Sequence, residues 1–125
     1  PQLPGAPADE TFPGLLMLRL SGRLFFANAG RVGETMRPLV LAARPRVLVL
    51  DLGGVFDLEY TALTMLAAAA KRQRDAGVDL WLVGLAPEVL GMVRRSPLGV
   101  ELGEERLFPN LEAAVAQYGR LPPAA

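Results

Sequence analysis

Neither cysteine nor histidine occurs in this 125-residue chain. Their absence excludes a disulfide framework, a thiol nucleophile, the common structural zinc sets and a histidine base to assist a serine. An excess of one charge sign is missing too, since 13 basic residues stand against 13 acidic ones. A neutral chain has no overall field to draw nucleic acid or an anionic bilayer, so no nucleic-acid partner is expected. The one dense basic run, Lys71 to Arg74, falls at the end of a helical pattern, where cations suit the helix dipole. No apolar run approaches the roughly 20 residues that span a bilayer. The chain starts at Pro1 with no initiating methionine and no signal-peptide pattern, and is expected to be a piece of a longer protein.

What the chain does have is apolar content, 51% of residues, enough at this length for one domain with a real core. Prolines gather at the ends, in Pro1 to Gly14 and in Leu121-Pro-Pro-Ala-Ala125. These stretches read as linkers. The expected organisation is a linker over 1–13, a folded domain over 14–119 and a tail over 120–125.

The stretch Arg46 to Ala70 organises the domain. Val47 to Leu52 is almost continuously apolar, the pattern of a strand buried on both faces. Gly53-Gly54 is expected to break it, leaving a short loop with Phe56, Asp57, Glu59, Tyr60 and Thr61. A helical stripe then begins at Ala62, Met65, Leu66, Ala69 and Ala70. Upstream, Leu15 to Leu20 reads as a strand, Ser21-Gly22 as a tight turn and Arg23 to Ala27 as the returning strand of an antiparallel hairpin. Asn28 suits the N-cap of a first helix, which Pro38 is expected to kink or shorten. Downstream, Gly77 suits a helix C-cap. Val78 to Val83 is a strand whose Trp81 reads as a core aromatic. Pro87 opens a third helix ending near Ser96-Pro97, and a loose stretch follows to a short strand at Arg106 to Phe108. Asn110 caps a last helix bearing Leu111, Ala114, Val115 and Tyr118. The expected fold is α/β: a small mixed sheet, an N-terminal hairpin plus parallel strands, flanked by about four helices.

In open α/β sheets, function tends to sit where a central strand ends and the next helix begins. The candidate site residues are therefore Gly53, Gly54, Phe56, Asp57, Glu59, Tyr60 and Thr61. Thr61 is read as the N-cap of the second helix. Phe56 either plugs the core or stands exposed, and Tyr60 is expected to be exposed. Asp51 ends the buried strand and needs backbone N–H partners. An Asp51–Asp57 carboxylate pair lacks a nucleophile, metal ligands or a base, so no catalytic residue, metal or cofactor is expected and the chain is not read as an enzyme. The Gly53-Gly54 pair fits neither dinucleotide nor lysine-bearing phosphate-loop spacing, and no Lys or Arg lies between Leu52 and Ala70.

Several local sequences are similar to one family. Pro13-Gly14-Leu15, Arg19-Leu20-Ser21-Gly22 and Leu24-Phe25-Phe26-Ala27-Asn28-Ala29 resemble the start of the STAS domain attached to bacterial SulP-family anion transporters. Val49-Leu50-Asp51-Leu52 with Val55 and Leu63 resembles its central strand and switch loop. Gly84 to Val89, Glu104 to Pro109 and Glu112 to Val115 extend the resemblance over roughly Pro13 to Tyr118. Phe25-Phe26-Ala27-Asn28 is its most specific piece, because that segment separates transporter STAS domains from free-standing ones.

The resemblance implies a non-enzymatic cytoplasmic domain, on the inner side of the bacterial inner membrane, that regulates a sulfate-type secondary anion transporter. Its implied partners are its own transmembrane transport domain, a cytosolic protein and a second copy in a homodimer. Relatives outside the transporters are anti-sigma factor antagonists, switched by phosphorylation of a serine in a motif of the form Asp-Ser-Ser-Gly-Leu. The matching residues are Glu59-Tyr60-Thr61-Ala62-Leu63, with Tyr60 at the acceptor position and Thr61, one position later, as the alternative phosphoacceptor. A free-standing phosphorylation switch and a nucleotide-binding sensor are the alternative functions.

Overall fold

Nine regular elements and one short 3-10 turn follow the apolar runs in the computed structural model, which describes residues 12–24 and 26–123. They are β1 (Leu15–Leu24), α1 (Phe26–Ala43), β2 (Val47–Leu58), α2 (Tyr60–Asp75), β3 (Asp79–Val83), α3 (Pro87–Arg94), α4 (Pro97–Leu102), β4 (Leu107–Phe108) and α5 (Leu111–Arg120). The 3-10 turn is Glu104–Arg106. Strand order is β1-β2-β3-β4, and each of the three pairings is parallel. The α/β class is as expected, with five α-helices rather than about four.

Both faces of the sheet are covered, which is why the strands read as unbroken apolar runs. Leu18, Leu50, Leu52 and Leu82 pack with Leu63, Val93, Leu98 and Leu102 on the face carrying α1 to α4. Met17, Val49, Trp81 and Val83 pack on the other face with Ala114 of α5. Trp81 is a core aromatic, as expected. Its ring centroid lies 5.0 Å from Phe108 and 6.4 Å from Tyr118. The indole Nε1 donates to Asp79 Oδ2 at 3.0 Å, and Arg106 Nε donates to Asp79 Oδ1 at 2.7 Å. That second bond, to a carboxylate, holds the Arg106 guanidinium pKa above its ordinary value.

The N-terminal hairpin is not formed. Residues 15–24 make one strand that stays parallel to β2, with register shifts between Arg19 and Ser21 and between Gly22 and Arg23. Gly22 uses its positive φ of 89° within this irregularity instead of in a turn. Gly53-Gly54 does not end β2 either. A Cβ at Gly54 would lie 2.9 Å from Ser21 Cβ and 3.2 Å from the Leu20 carbonyl oxygen. The glycine thus lets β1 approach closely, and pairing continues to Leu24 and Leu58.

Asn28 is not a cap, because α1 already begins at Phe26 and Asn28 lies in its first turn. Pro38 sits inside α1 on its exposed side without shortening it. The buried stripe of α2 is Ala62, Leu63, Leu66, Ala67 and Ala70, so Met65 and Ala69 sit at its margin. Gly77, with φ 91°, follows the end of α2 as expected and donates to the Arg74 carbonyl at 3.0 Å. The stretch after Ser96-Pro97 is helical: the buried Ser96 hydroxyl accepts from Leu98 N at 3.2 Å and caps α4. Asn110 caps α5 as expected, accepting from Ala113 N at 2.8 Å. The 1–13 linker lies outside the described residues except for Phe12 and Pro13, and Ala124 and Ala125 of the tail lie outside them too.

Candidate functional site

The candidate residues come together where β2 passes into α2, but as a strand end and a helix start rather than a loop. Gly53, Gly54, Phe56 and Asp57 all lie within β2. Val55 and Leu58 turn into the core, and Phe56 and Asp57 turn out. Phe56 is 74% exposed and Tyr60 57% exposed, so neither ring plugs the core.

The cap assigned to Thr61 is displaced by two residues. Glu59 is the N-cap of α2, in extended backbone and without a side-chain capping bond. Tyr60 is the first helical residue and Thr61 the second. Thr61 Oγ1 donates to Glu59 Oε1 at 2.8 Å, so its hydroxyl holds the acid rather than the helix N–H groups. The exposed aromatic Tyr60 therefore stands at the positive end of α2, flanked in the chain by the bonded Glu59 and Thr61.

Asp51 behind this edge is held as expected and by one partner more. Its Oδ1 accepts from Gly53 N at 2.9 Å, and its Oδ2 accepts from Arg19 Nε at 3.2 Å across the β1–β2 register pair. Gly84, at φ 75°, closes over it: a Cβ there would lie 2.9 Å from Asp51 Oδ1. Arg19, Ser21 and Gly84 were missed as neighbours of this edge. The signal for Arg19 was present in the sequence, as the lone charge in one apolar run, with Asp51 the lone charge in the run Val47 to Leu52. The Gly53 N–H is occupied by a carboxylate, so this stretch of β2 offers a phosphate neither that donor nor a cation from the same segment. Among the described residues, no three His, Cys, Asp or Glu side chains are grouped as metal ligands.

A family model described as STAS domain matches residues 6–114. The chain belongs to the STAS domain family. This STAS domain is 25% identical over 123 residues to high affinity sulfate transporter 2 of Stylosanthes hamata, covering 90% of the chain and 19% of the transporter. It thus spans about a fifth of that relative's length. In fold it is similar to the SulP transporter STAS domain from Vibrio cholerae, with a TM-score of 0.71, 23% identity and 89% of each chain covered. It is also similar to an anti-sigma factor antagonist from Mycobacterium paratuberculosis, with a TM-score of 0.70, 21% identity and coverage of 90% and 92%.

Proposed function

We propose that this STAS domain is the cytoplasmic, non-enzymatic regulatory and interaction module of a bacterial SulP-type secondary anion transporter. The supporting observation is its alignment, over 90% of its own length, to a fifth of a sulfate transporter. No described helix is long and apolar enough to cross a membrane, so in this reading transport itself belongs to a separate transmembrane domain. That domain is the first partner; a cytosolic protein and a second copy are the others. The working surface is the β2–α2 edge with Phe56, Asp57, Glu59, Tyr60 and Thr61, where exposed rings stand among acids.

The test is sulfate uptake by the parent protein in liposomes, with and without residues 14–119. Removal of the domain is expected to change the uptake rate of transporter that still inserts. Equal rates for equal amounts of inserted protein would defeat the regulatory reading.

Whole-chain likeness to an anti-sigma factor antagonist supports a second reading, a phosphorylation switch. Against it stands Tyr60 at the acceptor position, where a serine kinase would need a rebuilt pocket, and the Thr61 hydroxyl bonded to Glu59. Incubation with an anti-sigma-type serine kinase followed by mass spectrometry separates the two. No phosphate is expected, and stoichiometric phosphate on Thr61 would establish the switch.

A further inference from the structure

Helices α1 and α2 do not close fully over the sheet. Toward the end where β2 and β3 begin, a cleft of about 70 Å³ opens between them. Its apolar lining includes Leu48, Leu50 and Leu80 from the sheet, with Met36 from α1 and Leu66 from α2. Gly33 and Ala69 line it from the two helices, and a Cβ added at Gly33 would meet nothing within 4 Å. Glycine within a helix is unfavourable relative to alanine. What position 33 contributes here is room.

Two cations, Arg37 of α1 and Arg72 of α2, also line the cleft. Among the described residues neither guanidinium has an ion-pair or hydrogen-bond partner. Arg74, two residues on, is by contrast held by Glu101 at 2.6 Å. An apolar floor beneath two unpaired guanidinium groups is complementary to a ligand with an apolar end and a negative end.

We propose that this cleft binds an aliphatic chain bearing an anionic head, with the chain end among Leu48, Leu50 and Leu80 and the head between Arg37 and Arg72. The volume selects for a slender group. It is roughly half that of an engineered cavity that admits benzene, so the end of an alkyl chain fits and a ring does not. The cleft lies at the opposite end of α2 from Tyr60, so its occupancy is independent of the proposed β2–α2 surface.

The probe is sodium octanoate below its micellar range, titrated into the 125-residue chain and followed by amide and methyl NMR shifts. 1-Octanol and octyltrimethylammonium serve as neutral and cationic controls. Octanoate is expected to shift signals of Leu48, Leu50, Leu66 and Leu80, and to bind at least about tenfold more tightly than either control. Gly33→Leu puts a side chain into the open space and removes a helical glycine, so it is expected to fold and to lose binding. Arg37→Gln combined with Arg72→Gln leaves the floor intact and is expected to bring octanoate down to the affinity of octanol.

Sedimentation with phosphatidylglycerol or phosphatidylcholine vesicles identifies the source of the chain. Binding to phosphatidylglycerol alone, abolished by Gly33→Leu, indicates a membrane lipid, and octanoate binding without vesicle binding indicates a soluble acid. Failure of octanoate and vesicles alike, equal affinity for octanol, or binding unchanged in both variants would overturn the proposal.

Discussion

Tyr118 donates its hydroxyl to the carbonyl oxygen of Pro13, 105 residues earlier in the chain. The bond joins α5 to the turn that starts β1. Gly14 is the hub of this junction: its carbonyl accepts from Arg46 N at 2.7 Å and from Val47 N at 3.0 Å. Arg46 in turn donates from Nη1 to the Pro122 carbonyl at 2.6 Å. The start of the described chain, the start of β2 and the chain after α5 are thereby tied together at one end of the sheet.

The first prediction concerns this junction. Tyr118→Phe removes one exposed hydrogen bond and should cost about 0.5–1.5 kcal/mol. Gly14→Ala should cost more, roughly 1–3 kcal/mol, since φ is 83° and the added Cβ meets the Tyr118 hydroxyl. Part of that cost depends on the hydroxyl, so Gly14→Ala should be less harmful when combined with Tyr118→Phe. Urea melts of the wild type, the two single variants and the double variant measure this coupling, and strict additivity would show that the contact is not made.

A second prediction contrasts core and edge. Leu50 lies mid-strand with both faces of the sheet covered, so Leu50→Ala should cost roughly 2–5 kcal/mol. Thr61→Ala removes only an exposed bond to Glu59 and should cost no more than about 1 kcal/mol. Equal losses in urea would mean that one of these two placements is wrong.

The third concerns Asp51. Arg19 is 63% exposed at its side chain, so Arg19→Ala should cost below about 1 kcal/mol. Asp51→Ala also removes the acceptor of the exposed Gly53 N–H and should cost somewhat more, about 0.5–1.5 kcal/mol. Gly84→Ala crowds the same carboxylate from the other side and should destabilise the domain most in the presence of Asp51. Thermal melts of the single and paired variants check this ordering.

These relationships mark where sequence patterns sufficed and where they did not. The run Val47 to Leu52 announced a doubly covered strand because burial on both faces leaves no polar alternation. Gly77 and Asn110 were legible because capping is local backbone chemistry. Ser96-Pro97 carried a legible cap-and-proline signal for α4, but the helix is six residues long and its periodicity is correspondingly short. The fate of Ser21-Gly22 and Gly53-Gly54 was not local. Each dipeptide alone suits a turn, yet placed side by side they let two long parallel strands run on, a pairing that no window along the chain contains. The meeting of the candidate residues at one β2–α2 edge was legible, because the apolar run and the helical stripe mark where strand gives way to helix. The cap slipped from Thr61 to Glu59 because β2 extends to Leu58, which leaves Glu59 as the single residue between strand and helix.

The last prediction concerns that edge. Phe56 and Tyr60 are large apolar or amphipathic side chains with most of their surface in solvent, on opposite sides of the strand-to-helix junction. Exposed aromatics contribute little to folding and are frequent anchors of interfaces, particularly where a polar rim surrounds them. Asp57, Glu59 and Thr61 supply such a rim here. Phe56→Ala and Tyr60→Ala should therefore each change the stability of the isolated chain by no more than about 0.5 kcal/mol, the usual range for surface positions. In the transporter proposed above, the same changes should alter anion uptake in liposomes or the affinity of a bound partner. Leu50→Ala serves as the opposite control, because it should lower the melting temperature without touching the edge. Should both aromatic variants melt normally and leave uptake and partner affinity unchanged, the β2–α2 edge is not the working surface. The exposed faces of the helices would then be the place to look.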